Sequence, residues 1–245
     1  LSLLVGVVVL VSFSGGVEFL VATASGNADE LPNGYTPTDP ASDKVIQANG
    51  IALATDTQKY TTRYTEQTSA KLRAIDGTTT TVSADLSESV GVRIRTSDGE
   101  STEREYDEVY ETDSMIYRNT NGDITRENKE EVNTQSPVLE NHLQNAALLL
   151  RPFSQFKWAL TDVSDTHATY TMSRADSANL PNINTINRAS GTIKVELETG
   201  IITEATVVVT GTSKDEPSGT PITTQYQYNA NTDADISKPD WVEEE

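Results

Sequence analysis

The chain contains no cysteine. This excludes disulfides, thiolate metal sites, a cysteine nucleophile and lipid attachment through a cysteine. Histidine is nearly absent as well, with only His142 and His167 among 245 residues. Neither has neighbouring carboxylates at metal-ligand or triad spacing, so neither a zinc site nor a catalytic triad is expected. Basic residues are scarce: 18 Lys and Arg stand against 37 Asp and Glu, giving a formal charge of -19. That sign repels phosphate backbones and excludes nucleic acid as a natural partner. The hydrophobic share is low, at 36%. The apolar residues nevertheless fall at regular intervals, which a disordered chain does not require.

The surplus negative charge needs a condition that offsets self-repulsion. At molar salt the screening length falls to about 3 Å. Abundant carboxylates and threonines with few lysines therefore point to a protein made for concentrated brine, the alternative being an ordinary acidic secreted protein.

The first 30 residues, LSLLVGVVVLVSFSGGVEFLVATASGNADE, hold a long apolar run. Leu3–Phe13 has the length of a signal-peptide apolar region, and Ala22-Thr23-Ala24 before Ser25 has the small-x-small form of a cleavage site. Leu1–Ala22 comes close to the about 20 apolar residues of a spanning helix, weakened by Glu18 and the Gly15-Gly16 pair. A buried β-branched core strand is the third reading. The chain thus divides into a signal peptide or membrane anchor (1–24), a linker rich in turn formers (25–38), one domain (39–230) and an acidic C-terminal tail (231–245). An uncleaved leader would contact the membrane through residues 1–22.

Within the domain, DPASDKVIQANGIALATD reads as a helix with Asp39 as N-cap, Pro40 in its first turn, and Val45, Ile46, Ala52 and Leu53 on one face. From Gln58 the period becomes two. Tyr60, Thr62, Tyr64, Leu72 and Ala74 share a face, and Ile75-Asp76-Gly77 reads as a turn. Val82, Ala84, Leu86, Val90, Val92 and Ile94 then keep one phase, as a long strand with Gly91, Arg93, Arg95 and Ser97 on its wet side. Ser97-Asp98-Gly99 closes it. Tyr106 and Tyr110 are in phase, then Met115 and Tyr117, with Asn121-Gly122-Asp123 as a hairpin turn. Ser136 and Pro137 open a second helix, whose face is Leu139, Leu143, Ala146, Ala147 and Leu150, and Pro152 stops it. Further strands follow, with Ala168, Tyr170 and Met172 in phase. ADSANLPNINTINRAS reads as a loop. GTIKVELETGIITEATVVVTGT is a hairpin turning at Thr199-Gly200. PITTQYQYN closes with Ile222, Tyr226 and Tyr228 in phase. In ISKPDWVEEE only Trp241 is suited to dock.

The order is helix, meander, helix, meander with short turns. It gives an α+β fold: a single curved antiparallel sheet, a half-open β-barrel, with two main helices on its concave face. Such a sheet, curved around two short helices, leaves an apolar, tyrosine-rich concavity as its candidate site. The strand residues of that site are Tyr60, Tyr64, Leu86, Val92, Tyr106, Tyr110, Tyr117 and Tyr170. The second helix contributes Leu139, Leu143 and Leu150. Core packing accounts for many of these equally well. His142 and His167 fall on solvated faces. No glycine run resembles a phosphate loop, no loop has calcium-ligand spacing, and no nucleophile elbow is present, so no cofactor, metal or catalytic residue is expected.

Several stretches resemble a group of haloarchaeal cell-envelope lipoproteins: ADELPNGYTPTDPASDKVIQANGIALATDTQKYTTRYTE, the hairpin LETGIITEATV, and the closing ISKPDW. That group is distantly similar to the LolA/LolB and LppX/LprG lipoprotein carriers. The resemblance spans roughly Ala28 to Trp241. It implies a half-open barrel lidded by helices that holds acyl chains, without catalytic residues, outside the cytoplasmic membrane. It also implies a lipid-bearing cysteine after the leader, where this chain has ATASG instead. The expected function is a carrier or sensor of a lipid or other apolar ligand. The alternative is an interaction or regulatory module, with a filled core and an envelope protein as partner, as in RseB-type regulators.

Overall fold

The computed structural model describes residues 31–32, 35–41, 45–46, 49, 52–53, 59–70, 73–99, 105–132, 138–139, 148–175, 180, 183–214 and 219–242. Threonine, valine and tyrosine at alternating positions favour extended backbone. The chain forms eleven strands in one sheet. They are β1 (Lys59–Ala70), β2 (Arg73–Asp85), β3 (Val90–Gly99), β4 (Glu105–Glu111), β5 (Met115–Thr120), β6 (Asp123–Asn128), β7 (Lys157–Val163), β8 (His167–Arg174), β9 (Ile183–Glu196), β10 (Ile202–Ser213) and β11 (Pro221–Asn231).

The spatial order is β6-β5-β4-β3-β2-β1-β11-β10-β9-β8-β7, with every neighbouring pair antiparallel. The sheet is curved and unclosed. One meander, β1 to β6, runs from the centre to one edge. The segment after β6 crosses to the opposite edge, and the second meander returns so that β11 pairs with β1. The crossing segment contains a short helix, Lys129–Val132, helical residues Leu148–Leu150 and a 3-10 turn, Arg151–Gln155. Helical residues Val45, Ile46, Ala52 and Leu53 are buried. Of the second expected helix, Ser136, Pro137, Leu143, Ala146 and Ala147 lie outside the described residues, as do the whole leader and His142.

Register fixes which residues share a face. On the concave, helix-bearing side, Tyr64 lies between Tyr228 and Thr80, and Tyr228 opposes Ala205. Ala205 opposes Ile193, and Ile193 opposes Tyr170. Val45, Ile46, Leu150, Phe153 and Phe156 fill this side against Trp158, Leu160, Tyr170, Val207 and Tyr226. The concave face is therefore packed over β7–β11. The first helical segment is tied down by Asn49, whose Oδ1 accepts a 2.7 Å hydrogen bond from the Ile202 amide. The edge strand β7 is shielded where Leu160 N–H donates to the Pro37 carbonyl at 2.7 Å, the kind of cover that protects an unpaired strand edge.

Several local expectations are corrected. Ile75, Asp76 and Gly77 are not a turn. They run inside β2, with Asp76 opposite Thr68 and Gly77 opposite Gln67, and a bulge at Thr68/Ser69 absorbs the extra residue. The long strand through Leu86 is two strands, split by a turn in which the Asp85 carboxylate accepts from the Ser87 hydroxyl at 2.6 Å and the Ser87 amide at 3.0 Å. This hairpin puts Val82 opposite Arg93 and Ala84 opposite Gly91. Val92 and Ile94 therefore face away from Val82, and the side read as wet, with Gly91, Arg93 and Arg95, is the concave one. The stretch read as a loop before Ser190 is the first half of β9, where Arg188 opposes Thr210 and Ala189 opposes Val209. Its apolar alternation is hidden because register shifts at Thr210/Gly211 and Thr212/Ser213 break the period of two between Ile183, Ile186 and Ala189. A Cβ on Gly191 would lie 2.5 Å from the Thr206 carbonyl oxygen. Asp39 forms an isolated bridge with Thr36 rather than opening the helix. From the expected linker, Tyr35 is buried and donates its hydroxyl to the Gly200 carbonyl at 2.7 Å. Asn121-Gly122 makes the expected hairpin, with φ of 52° and 98°, the left-handed conformation that such turns require.

Candidate functional site

Over β1–β4 the concave face is not filled. A groove of about 470 Å³ lies between these strands and the helical residues Leu148 and Leu149. One register row crosses its floor: Tyr64, Thr80, Arg95 and Asp107. The adjacent row brings Val82, Arg93, Val109 and Arg118 side by side. The walls are thus apolar at Tyr64, Val82, Leu148 and Leu149 and polar at Thr78, Thr80, Glu66, Arg93, Arg95 and Asp107. Leu148 is 49% exposed, a large apolar side chain left in solvent above the groove.

The charged groups are partly matched. Arg93 Nη2 pairs with Asp107 Oδ2 at 2.9 Å, and the Thr120 hydroxyl donates to Asp107 Oδ1 at 3.4 Å. The Tyr64 hydroxyl donates to Glu66 Oε2 at 3.0 Å. Burial, then the nearby Glu66 carboxylate, holds the Tyr64 phenol far above its usual range, so it remains a hydrogen-bond donor.

Next to the groove, Val138 and Leu139 bring the crossing segment down onto the sheet. Glu111, fully buried, holds them there. Its Oε2 accepts from the Val138 amide at 2.8 Å and the Leu139 amide at 3.2 Å, and its Oε1 pairs with Lys129 Nζ at 2.7 Å. Val138 packs with Val82, Val109 and Ile116. Gly91 lies beneath it, where a Cβ would fall 2.7 Å from Val138 Cγ1. Only glycine permits that approach.

The structure scatters the residues expected at the site. Tyr64 lines the groove. Tyr60 packs with Ala52, Leu53, Ala84 and Ile201, and Leu86 and Leu139 lie against the same group. Tyr170 and Leu150 belong to the packed half. The Tyr60 and Tyr170 hydroxyls are buried with no hydrogen-bond partner among the described residues. Burial raises both phenols well above the ordinary value. Val92, Tyr106, Tyr110 and Tyr117 lie on the opposite, convex face. There Val92 and Tyr110 pack with Val242, Tyr117, Ile236 and Trp241, so the C-terminal segment covers them. Trp241 Nε1 donates to Glu108 Oε2 at 2.5 Å, and the Tyr106 hydroxyl donates to the same oxygen. Burial, followed by Glu108, pushes the Tyr106 phenol up to about 12. Leu143 lies outside the described residues.

Glu66, Thr78, Thr80, Val82, Arg93, Arg95, Asp107, Leu148 and Leu149 are the groove residues that sequence reasoning missed. The leucines stand in the run Leu148-Leu149-Leu150, beside the helical stripe. The arginines were in phase with one another and assigned to solvent.

A second cavity of about 540 Å³ lies by β7, between Thr38, Asp39 and Ala41 on one side and Ser154, Phe156, Lys157, Trp158 and Ser173 on the other. Its lining is mostly polar. Among the described residues, no group of three or more His, Asp or Glu side chains could hold a metal ion. No helix among them is long and apolar enough to cross a membrane.

These features define an open antiparallel half-barrel with one half of its concave face packed and the other half grooved. No family model matches the chain, and no curated protein matches it. Among solved structures, it is similar to LprF from Mycobacterium bovis, at 12% identity over 83% of this chain and 98% of that one, with a TM-score of 0.37. A LolA superfamily protein from Nitrosomonas europaea is similar at 8% identity over 82% and 99%, with a TM-score of 0.27. A DUF1329 family protein from Desulfovibrio piger is similar at 8% identity over 81% and 95%, with a TM-score of 0.26. The half-barrel architecture rests on the strand order and register above, not on these likenesses.

Proposed function

We propose that the chain is a non-enzymatic, extracytoplasmic binding protein, a carrier or sensor that holds a lipid or other apolar ligand against the concave face. The observation that carries this reading is the groove over β1–β4. Its volume, about 470 Å³, is within the roughly 300–1,000 Å³ of small-molecule sites. Leu148, exposed above it, gains burial when an apolar chain enters. The extracytoplasmic assignment is supported by the apolar leader and its small-residue cleavage pattern. In this reading the leader is either removed or anchors the domain to the outer face of the cytoplasmic membrane through residues 1–22. The non-enzymatic assignment is supported by the lack of any nucleophile, base and orienting group in sequence patterns that catalysis requires.

A second reading has a specific observation in its favour. The half of the concave face over β7–β11 is packed by Val45, Phe153, Phe156 and Leu160, each 0–3% exposed. A protein built only to meet an envelope partner needs no more than that. The two readings separate on binding of a fluorescent acyl probe, cis-parinaric acid, to purified protein. The carrier reading expects binding that Leu148→Asp weakens while far-UV circular dichroism stays native, because a carboxylate set against an apolar chain is costly. Absence of probe binding, with no lipid extracted from the purified protein, would reject the carrier in favour of the interaction module.

A further inference from the structure

We infer that the groove selects an amphiphile with an anionic head, a carboxylate or phosphate monoester or diester, and that Arg95 receives the charge. This deepens the carrier reading above and rests on it. Acidic residues outnumber basic ones by 37 to 18. Three arginines of the concave face, Arg93, Arg95 and Arg118, nevertheless gather around one carboxylate, Asp107. Asp107 is opposite Arg95 in register, yet its two oxygens are taken, Oδ2 by Arg93 at 2.9 Å and Oδ1 by the Thr120 hydroxyl at 3.4 Å. Arg95 and Arg118 have no ion pair among the described residues. Glu111, a further carboxylate of this face, is committed to Lys129 and to two backbone amides, and Glu66 on the groove wall accepts from the Tyr64 hydroxyl.

Arg95 is thus a groove guanidinium without a carboxylate partner among the described residues, within a strongly negative molecule. A guanidinium offers a planar fork of donors that matches a carboxylate or phosphate. Arg95 lines the groove beside Thr80, in the same row as Tyr64, with Leu148 and Leu149 opposite. A ligand lying along that row puts its chain against Tyr64, Val82 and the leucines and its head at Arg95. Neutral lipids would satisfy the apolar wall and leave Arg95 as it is in the free protein. Free anions would satisfy Arg95 and leave the wall exposed.

The test measures binding of four probes to the full chain by titration calorimetry at fixed salt: oleate, methyl oleate, lysophosphatidylglycerol and inorganic phosphate. Oleate and lysophosphatidylglycerol should bind at least about tenfold more tightly than methyl oleate, the worth of one charge-assisted hydrogen bond. Arg95→Gln should bring oleate down to the level of methyl oleate and leave methyl oleate unchanged. Arg95→Lys, which keeps the charge but loses the fork, should fall between. Arg95 is exposed, so these variants should fold. Equal binding of oleate and methyl oleate overturns the anionic head while leaving the apolar carrier standing. Phosphate binding as tight as lysophosphatidylglycerol overturns the amphiphile in favour of a free anion. If neither oleate nor methyl oleate binds, both this inference and the carrier reading fall.

Discussion

Removing the Glu111 carboxylate should loosen the crossing segment from the sheet more than any surface change. Glu111 has no exposed side-chain area, and its partner Lys129 is 19% exposed. In Glu111→Ala the ammonium loses its counter-charge, and the amides of Val138 and Leu139 lose their acceptor. Breaking a buried pair costs about 3–5 kcal/mol when the remaining charge is fully buried. Lys129 keeps some solvent, which lowers that figure, while a buried amide without an acceptor adds about 1–3 kcal/mol. About 4 kcal/mol is the expected total. With a urea m-value of about 2 kcal/mol/M, the midpoint falls by about 2 M with little change in m. Glu111→Gln retains an acceptor for the amides and should lose about half as much. The surface pair Lys194–Glu204, at 2.8 Å and 48% and 42% exposed, serves as control. Its Glu204→Ala variant should shift stability by less than about 1 kcal/mol. The buried pair should also keep its effect in molar salt, where exposed pairs are screened. A Glu111→Ala midpoint within about 0.5 M of wild type, or no larger a shift than Glu204→Ala, would refute the role given to Glu111.

Gly91→Ala should destabilise by about 1–3 kcal/mol through overpacking, because its Cβ would come within 2.7 Å of Val138 Cγ1; an unchanged thermal midpoint contradicts that close approach. Tyr170→Phe removes a buried hydroxyl with no partner among the described residues and should be neutral or stabilising; a loss above about 1 kcal/mol in urea unfolding would reveal a hydrogen bond the structure does not contain. The thermal midpoint should rise from low salt to multimolar KCl, since the net charge of -19 is then screened; a flat or falling midpoint removes the case for a brine-adapted protein.

The sheet was legible in the sequence because a period of two exposes itself wherever one face is apolar. Val82 and Ala84, Ile193 and Val195, Tyr226 and Tyr228 all announce their strands. The groove was harder to read. Alternation tells which residues of one strand share a face, but not how the faces of successive strands join across a turn. The split between β2 and β3 at Leu86–Ser89 shows the difficulty. Val92 and Ile94 continue the apolar phase of Val82, yet they lie on the convex side, where Trp241 and Val242 cover them. The tail that hides them is short and acidic, and Trp241 is its one sequence signal of docking, without indicating which face it covers. The arginines were misassigned for the mirror-image reason: a charged residue looks solvent-directed even when it lines a concavity. The first half of β9 escaped notice because register shifts against β10 interrupt the alternation of Ile183, Ile186 and Ala189. The Val207 side chain lies 2.9 Å from the place a Cβ on Gly191 would occupy, so the space that a large residue would signal is already taken.

The central claim is that the groove between β1–β4 and Leu148–Leu149 takes an acyl chain. A crystal structure of the protein grown with a terminally brominated fatty acid measures this directly, through the anomalous signal of the bromine. The account predicts a bromine peak between Tyr64, Val82 and Leu149, with the carboxylate toward Arg95. A groove holding only solvent at saturating ligand, or a bromine peak at the β7 cavity or on the convex face, would contradict it.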